Sequence, residues 1–168
     1  VEFKTVFFTF GDIVIFSYRD GLTISIYGSN GTLLTTRSMN RGSRYFYRPG
    51  AGAYYAIGNQ PYSILIGDPV THKAMGYFAA NDFFSGVARE FYTYAASDQD
   101  VITFAYSSGT TLVNVEEWNG TSWVPLSTFS LRGSGDHHWV KQHAWGRKWL
   151  HFYSNQSISV ELYSDRCF

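Results

Sequence analysis

Apolar and polar residues alternate with a period of two over short runs of this chain. Ile13, Ile15 and Ser17 fall on one side and Val14, Phe16 and Tyr18 on the other, and Leu22, Ile24 and Ile26 then alternate with Thr23, Ser25 and Tyr27. Successive side chains of an extended backbone point to opposite faces, so the pattern predicts strands. The runs are rich in β-branched and aromatic types. They are separated by turn clusters such as Arg19-Asp20-Gly21, Ser29-Asn30-Gly31, Arg48-Pro49-Gly50, Gly58-Asn59-Gln60-Pro61, Ser107-Ser108-Gly109 and Trp118-Asn119-Gly120. Short strands with tight turns at this spacing predict an all-β, antiparallel β-sandwich. The Ala-richer stretch from Lys73 to Ser97 is interrupted by Gly76 and Gly86 and contains Glu90-Phe91-Tyr92-Thr93-Tyr94, so a loop followed by a strand is expected there.

The second half of the chain echoes the first. Asp12-Ile13-Val14-Ile15-Phe16-Ser17-Tyr18 aligns with Asp100-Val101-Ile102-Thr103-Phe104-Ala105-Tyr106, and Gly21 with Gly109. Asn30-Gly31-Thr32 aligns with Asn119-Gly120-Thr121, the run from Ile57 to Ile66 with that from Tyr153 to Leu162, and Val1 to Phe10 with Val87 to Ala96. The order is kept while the second copy is longer between Asn119 and Asn155. The expectation is a sandwich built from two tandem, similar halves, residues 1–84 and 85–168, the second with lengthened Trp- and His-rich loops. Open sheet margins carry unpaired N–H and C=O groups. The N-terminal run with Val1, Phe3, Val6, Phe8 and Phe10 is therefore a candidate for pairing with another subunit, its alternative being an ordinary strand of its own sheet.

Composition narrows the function classes. Aromatics make up 19% of the 168 residues and charged residues only 15%, which excludes a disordered chain and predicts a core built around rings. Lys plus Arg (13) balance Asp plus Glu (13), so the basic excess that phosphate binding needs is missing and nucleic acid is not an expected partner. No apolar stretch approaches the ~18 to 20 residues of a transmembrane helix, and none is expected. Val1 opens directly onto a strand-like run without an initiator Met, as in a processed or excised chain. The lone Cys167 has no internal disulfide partner. Three Asn-x-Ser/Thr sites, Asn30, Asn119 and Asn155, are candidate glycosylation sites and point to an extracellular, cell-surface location, although Asn-Gly also favours hairpin turns.

Candidate chemistry is sparse. No phosphate-binding loop, His-Glu-x-x-His, Gly-x-Ser-x-Gly or paired-Cys motif occurs, so no catalytic residues are assigned and an enzyme is not expected. Asp136-His137-His138, His143 and His151 follow no metal-ligand spacing, and adjacent His137 and His138 point to opposite sides of a strand; a polar loop is expected, with no metal. Asp20, Asp68 and Asp98 fit turn capping; no cofactor is expected, calcium on Asp68, Asp98 or Asp100 being the alternative. All five tryptophans lie in the second half. Trp118 and Trp149 read as core residues on strands, while Trp123, Trp139 and Trp145 are assigned as ligand or interface aromatics. Tyr45, Tyr47, Tyr54, Tyr55 and Tyr62 with Arg41, Arg44 and Arg48 suit either an interface or a solvated sheet face.

The units Ala56-Ile57-Gly58-Asn59-Gln60-Pro61-Tyr62-Ser63-Ile64, Gly76-Tyr77-Phe78-Ala79-Ala80 and Arg89-Glu90-Phe91-Tyr92-Thr93-Tyr94 resemble repeated β modules of secreted archaeal and bacterial surface proteins. Those modules are similar to the N-terminal region of IgGFc-binding-type proteins. The resemblance implies a structural module and transfers no catalytic residue. Together with the residue pattern it gives the expectation of a non-catalytic extracellular structural subunit that assembles with copies of itself into a cell-surface filament or layer. A carbohydrate-binding or adhesion module contacting surface glycans is the alternative.

Overall fold

In the computed structural model, which describes residues 2–66, 75–78, 86–96, 99–141 and 146–164, the elements are all strands and all pair antiparallel. The first set comprises β1 (Phe3–Thr9), β2 (Ile13–Ser17), β3 (Leu22–Gly28), β4 (Leu33–Met39), β5 (Arg44–Tyr47), β6 (Gly52–Gly58) and β7 (Tyr62–Ile66). The second comprises β8 (Met75–Phe78), β9 (Ala88–Ala95), β10 (Gln99–Ala105), β11 (Thr110–Trp118), β12 (Trp123–Arg132), β13 (His137–Lys141) and β14 (Lys148–Ser164). The chain is thus all-β, and the stretch from Lys73 to Ser97, expected as a loop followed by a strand, carries two strands, β8 and β9.

The first set forms two sheets, ordered β1-β6-β3-β4 and β5-β2-β7. Alternation decides which side chains meet between them. Phe7, Ile24, Ile26 and Tyr54 of one sheet pack on Ile13, Ile15 and Ile66 of the other, all buried, in one apolar cluster. The second set forms a single sheet, β12-β11-β14-β10-β13, with β8 and β9 also on β14. The early part of the 17-residue β14 pairs with β11 and β9, and its later part with β10 and β8. Between Tyr153 and Ile158 the ladder to β9 shifts register. Bulges of this kind bend a strand, and here the sheet folds over so that Phe91, Val113, Leu150 and Phe152 meet Val101, Ile158 and Val160 in a second buried cluster.

The two sets share a pairing scheme. The pairs β1–β6, β6–β3, β3–β4, β2–β5 and β2–β7 recur as β9–β14, β14–β11, β11–β12, β10–β13 and β10–β14. Registers recur as well. Ile24 faces Gly58 as Val113 faces Ser154, Ile13 faces Ile66 as Val101 faces Leu162, and the irregularity between Ile26 and Tyr27 recurs between Val115 and Glu116. Even single side-chain bonds repeat: Asn59 Oδ1 accepts the Thr23 N–H at 2.7 Å, and Asn155 Oδ1 accepts the Leu112 N–H at 2.8 Å. The clear departure is at Pro61. It has no N–H for a ladder, and β6 and β7 are separate strands around it; Ser157, at the matching place, lies inside the continuous β14.

A third cluster joins the two sets. Val6 and Ala53, from the outer face of the β1-β6-β3-β4 sheet, pack with Ile102 and Phe104 of β10, and Phe8, Tyr55, Tyr106 and Trp139 surround them.

Candidate functional site

The joint between the sets shows what this kind of sheet face can hold. Lys4 on β1 extends between the rings of Tyr55 and Tyr106, its Nζ 5.2 and 5.0 Å from their centroids. The ammonium donates to the Tyr106 carbonyl at 2.7 Å and to Ser134 Oγ at 2.6 Å, and burial lowers its pKa against the opposing pull of the Glu2 charge. Phe8 meets Trp139 edge to face at 5.1 Å. Beside them Glu161 on β14 is fully buried; its Oε2 accepts the Phe8 N–H at 3.0 Å and its Oε1 has no partner. Desolvation pushes this carboxyl up to about 8, against the pull of the Phe8 bond, so at neutral pH it is held mostly as the neutral acid.

The outer face of the second set, on the far side of its core from this joint, carries a different cluster. Phe91, Leu150 and Phe152 turn inward, so the intervening Glu90, Tyr92, Trp149, His151 and Tyr153 face outward. His151 lies between two carboxylates, with Nε2 2.8 Å from Glu90 Oε1 and Nδ1 2.9 Å from Glu116 Oε2. Both ring nitrogens donate at once only in the imidazolium form. Tyr92 stacks on the imidazole at 4.2 Å with 4° between the planes, and its hydroxyl donates to Glu90 at 3.2 Å. The hydrogen bond from His151 is the main cause holding the Glu90 carboxyl below the usual carboxylate range. Trp123 closes the group at 5.6 Å from both Tyr92 and His151, and Trp118 stands 5.5 Å from Trp123. Tyr94 and Trp149 form a neighbouring pair at 4.9 Å. Tyr92 and Trp149 are each 56% exposed, which is high for rings of this size.

At the other end, the outer face of the β5-β2-β7 sheet exposes Phe16, Tyr18 and Phe46. The Arg44 guanidinium lies 5.4 Å from the Phe46 ring centre. Arg41 is exposed in the turn before β5, where its N–H donates to Asp20 at 3.0 Å. Arg48 pairs with Asp12 at the margin.

An open groove of about 520 Å³ runs along β1 and is lined by Phe3, Lys4, Tyr62, Val87, Tyr106 and Ser159 among others. Burial pushes the Tyr62 phenol up to about 12, and its hydroxyl donates to the carbonyls of Ala56 and Phe3.

Asn30, Asn119 and Asn155, the candidate glycosylation sites, are exposed, and the side chain of each accepts a backbone N–H. Of the subunit-pairing strand, Phe3, Val6 and Phe8 belong to β1, which pairs with β6 at one margin of its sheet; Phe10 is exposed just beyond, and Val1 lies outside the described residues. Trp123 stands in the outer aromatic group, whereas Trp139 is packed in the joint. Trp145, His143, Asp68 and Asp98 lie outside the described residues. The core role expected for Trp118 and Trp149 is not what the structure has: at 39% and 56% exposure they face outward, because Glu117 and Leu150 occupy the inward alternation. His137 and His138 do point to opposite sides, His137 toward Phe8 and His138 onto Phe129 at 4.0 Å. Among the described residues no three His, Cys, Asp or Glu side chains converge as a metal site, and no helix is long and apolar enough to cross a membrane. Sequence reasoning missed Glu90, Glu116 and His151 as a unit. They come from three strands, and only the pairing of β14 with β9 and β11 assembles them.

No known family model matches this chain, and no curated protein matches it. Among solved structures, oxalate decarboxylase of Bacillus subtilis is similar over 95% of this chain, both as a tryptophan-to-phenylalanine variant and as a structure at pH 4.6, each at 8% identity and a TM-score of 0.27. The chain spans 64% of the length of those two. Likeness at that level carries no argument about this protein.

Proposed function

We propose that this chain is a non-catalytic structural subunit that works outside the cell and assembles with copies of itself into a filament or layer at the cell surface. The observation that carries the reading is the pair of aromatic outer faces: Phe16, Tyr18 and Phe46 at one end, and Tyr92, Trp149 and their neighbours at the other. Large rings in solvent on both outermost sheets suit protein contacts, since burying them releases about 25 cal/mol for every Å² of apolar surface covered. The shared pairing scheme supports a tandem copying of one unit. The exposed Asn30, Asn119 and Asn155 fit a glycosylated, secreted chain. Sedimentation velocity over a wide concentration range tests the proposal: species growing with concentration are expected, and a strictly monomeric boundary at millimolar protein overturns it.

A second reading is favoured by one feature, the aromatic group flanked by Glu90 and Glu116, because rings that stack on sugar C–H faces beside carboxylates that accept hydroxyls suit a glycan. A glycan array probed with the native chain and with Tyr92→Ala decides it. Binding that is lost in the variant is expected under this reading, and no signal from either chain removes it.

A further inference from the structure

We infer that the subunits stack head to tail, the outer face of β5-β2-β7 of one copy docking on the outer face of β9, β14 and β11 of the next, in the arrangement that already joins the two strand sets inside one chain. The inference rests on the self-assembly reading and specifies its contact surface and partner, a second copy. It follows from the pairing scheme. The joint is formed by the β1-β6 face of the first set and the β10-β13 face of the second. In the shared scheme, β1, β6 and β3 correspond to β9, early β14 and β11, while β10 and β13 correspond to β2 and β5. Each face used in the joint therefore has a counterpart at the opposite end of the molecule, and each counterpart exposes large rings, Phe16 and Phe46 on one and Tyr92 and Trp149 on the other, although Val14 beside Phe16 is buried.

The counterparts match residue by residue. Buried Phe104 in the joint corresponds to Phe16, exposed by 36%, and half-buried Trp139 corresponds to Phe46, exposed by 56%. On the other face, Val6 at 1% and Ala53 at 7% correspond to Tyr92 and Trp149, both at 56%. The turn before each short strand matches as well. The Gly42 N–H bonds the Ser17 carbonyl and the Gly135 N–H bonds the Ala105 carbonyl, both at 2.9 Å and both glycines at positive φ. A methyl group added at Gly135 would touch Tyr55 and Ser29, whereas one at Gly42 would meet open space.

Charge supports the same occupant. In the joint Lys4 reaches Ser134. At the corresponding places of the free faces stand Glu90 and, in the turn of Gly42, Arg41. The β9 face carries Glu90 and Glu116, both bonded to His151, and the β5 face carries Arg44 and Arg41, the latter beside Asp20, so Glu90 of one copy and Arg41 of the next bring opposite charges to matching places of the contact. A contact between two different faces is heterologous and leaves a free face at each end of every oligomer, so growth continues unless the rotation closes a ring.

Half-blocked chains test this. Phe46→Asp blocks one face and Trp149→Asp the other; with melting unchanged, each alone stays monomeric where the native chain assembles, and an equimolar mixture gives a dimer that grows no further. Should Trp149→Asp lower the melting temperature, Tyr94→Asp on the same face replaces it. Arg41→Glu or Glu90→Arg alone raises the concentration needed for assembly by about tenfold, and the double variant brings it back. Assembly that survives both blocks overturns the head-to-tail contact and leaves self-assembly standing. A homodimer formed by either blocked variant alone overturns it in favour of like faces meeting, and loss in both variants with no dimer on mixing overturns it as well. A native chain that never associates removes both readings.

Discussion

Glu161 is a fully buried acid beside the joint. Its carboxyl is buried with one oxygen bonded to Phe8 and the other without a partner, and burial raises its pKa from the ordinary 4.5 to about 8. The folded chain therefore holds a proton that the unfolded chain releases above pH ~4.5, and stability falls as pH rises from there until it levels off above about 8. The loss over that window is on the order of a few kcal/mol. Glu161→Gln keeps an acceptor for Phe8 and removes the ionisation. Urea unfolding should show the variant close to the native chain at pH 5 and clearly more stable at pH 8; parallel curves at both pH values would refute the buried acid. Nothing in Ser159-Val160-Glu161-Leu162 distinguishes this acid from one on a solvated face, because alternation assigns it outward and only a second sheet packed on that face dries it. Trp118 and Trp149 illustrate the opposite failure: size suggests core, and alternation, followed strictly, places them outside. Asp20, expected to cap its own turn, ties that turn to the next one: its carboxylate accepts the N–H of Arg41, 21 residues on.

At the scale of elements, the Asn-Gln corners fasten the strand pairs. Asn59 bonds the Thr23 N–H and, through Nδ2, the Gly21 carbonyl; Asn155 bonds the Leu112 N–H while Gln156 Nε2 bonds the Thr110 carbonyl. The first corner concentrates in one side chain what the second divides between two. Asn59→Ala should cost about 1 to 2 kcal/mol and Asn155→Ala about 1 kcal/mol, since these bonds are solvent-exposed. The sites share no partner, so the double variant should add within about 0.5 kcal/mol in denaturant titrations. Strong non-additivity would mean that the corners sense one another through the joint. These corners are visible in the sequence as matched Asn-Gln pairs, and the strands around them as period-two runs. The continuity of β14 is not, because the second corner also reads as a turn. Pro61 enforces a break that Ser157, with its N–H intact, does not, and a single residue type decides whether one strand or two result.

For the molecule as a whole, the same structural position occurs once covered and once bare. Phe104 is fully buried against Val6 and Ala53, while Phe16 at the matching place of β2 has no sheet over it among the described residues. Truncating a buried Phe removes transfer energy and leaves a cavity, so Phe104→Ala should lower stability by about 3 to 5 kcal/mol. Each strand set has its own buried cluster, and this loss falls on the joint between them. Calorimetry of Phe104→Ala should therefore show the transition broadening, with a van't Hoff enthalpy below the calorimetric one, as the two clusters begin to melt apart. A sharp single transition would mean that the sets are coupled by more than the joint. Phe16→Ala should leave the dilute chain within about 0.5 kcal/mol of native, as surface changes do. If a second copy covers Phe16, the two substitutions converge at high protein concentration. The native melting temperature then rises with concentration, because association with the folded form draws the equilibrium toward it, and that rise is lost in Phe16→Ala. One substitution would weaken the joint inside the chain and the other the joint between chains, and the difference between their concentration dependences separates a fold that merely exposes rings from one whose exposed rings repeat its own interior contact.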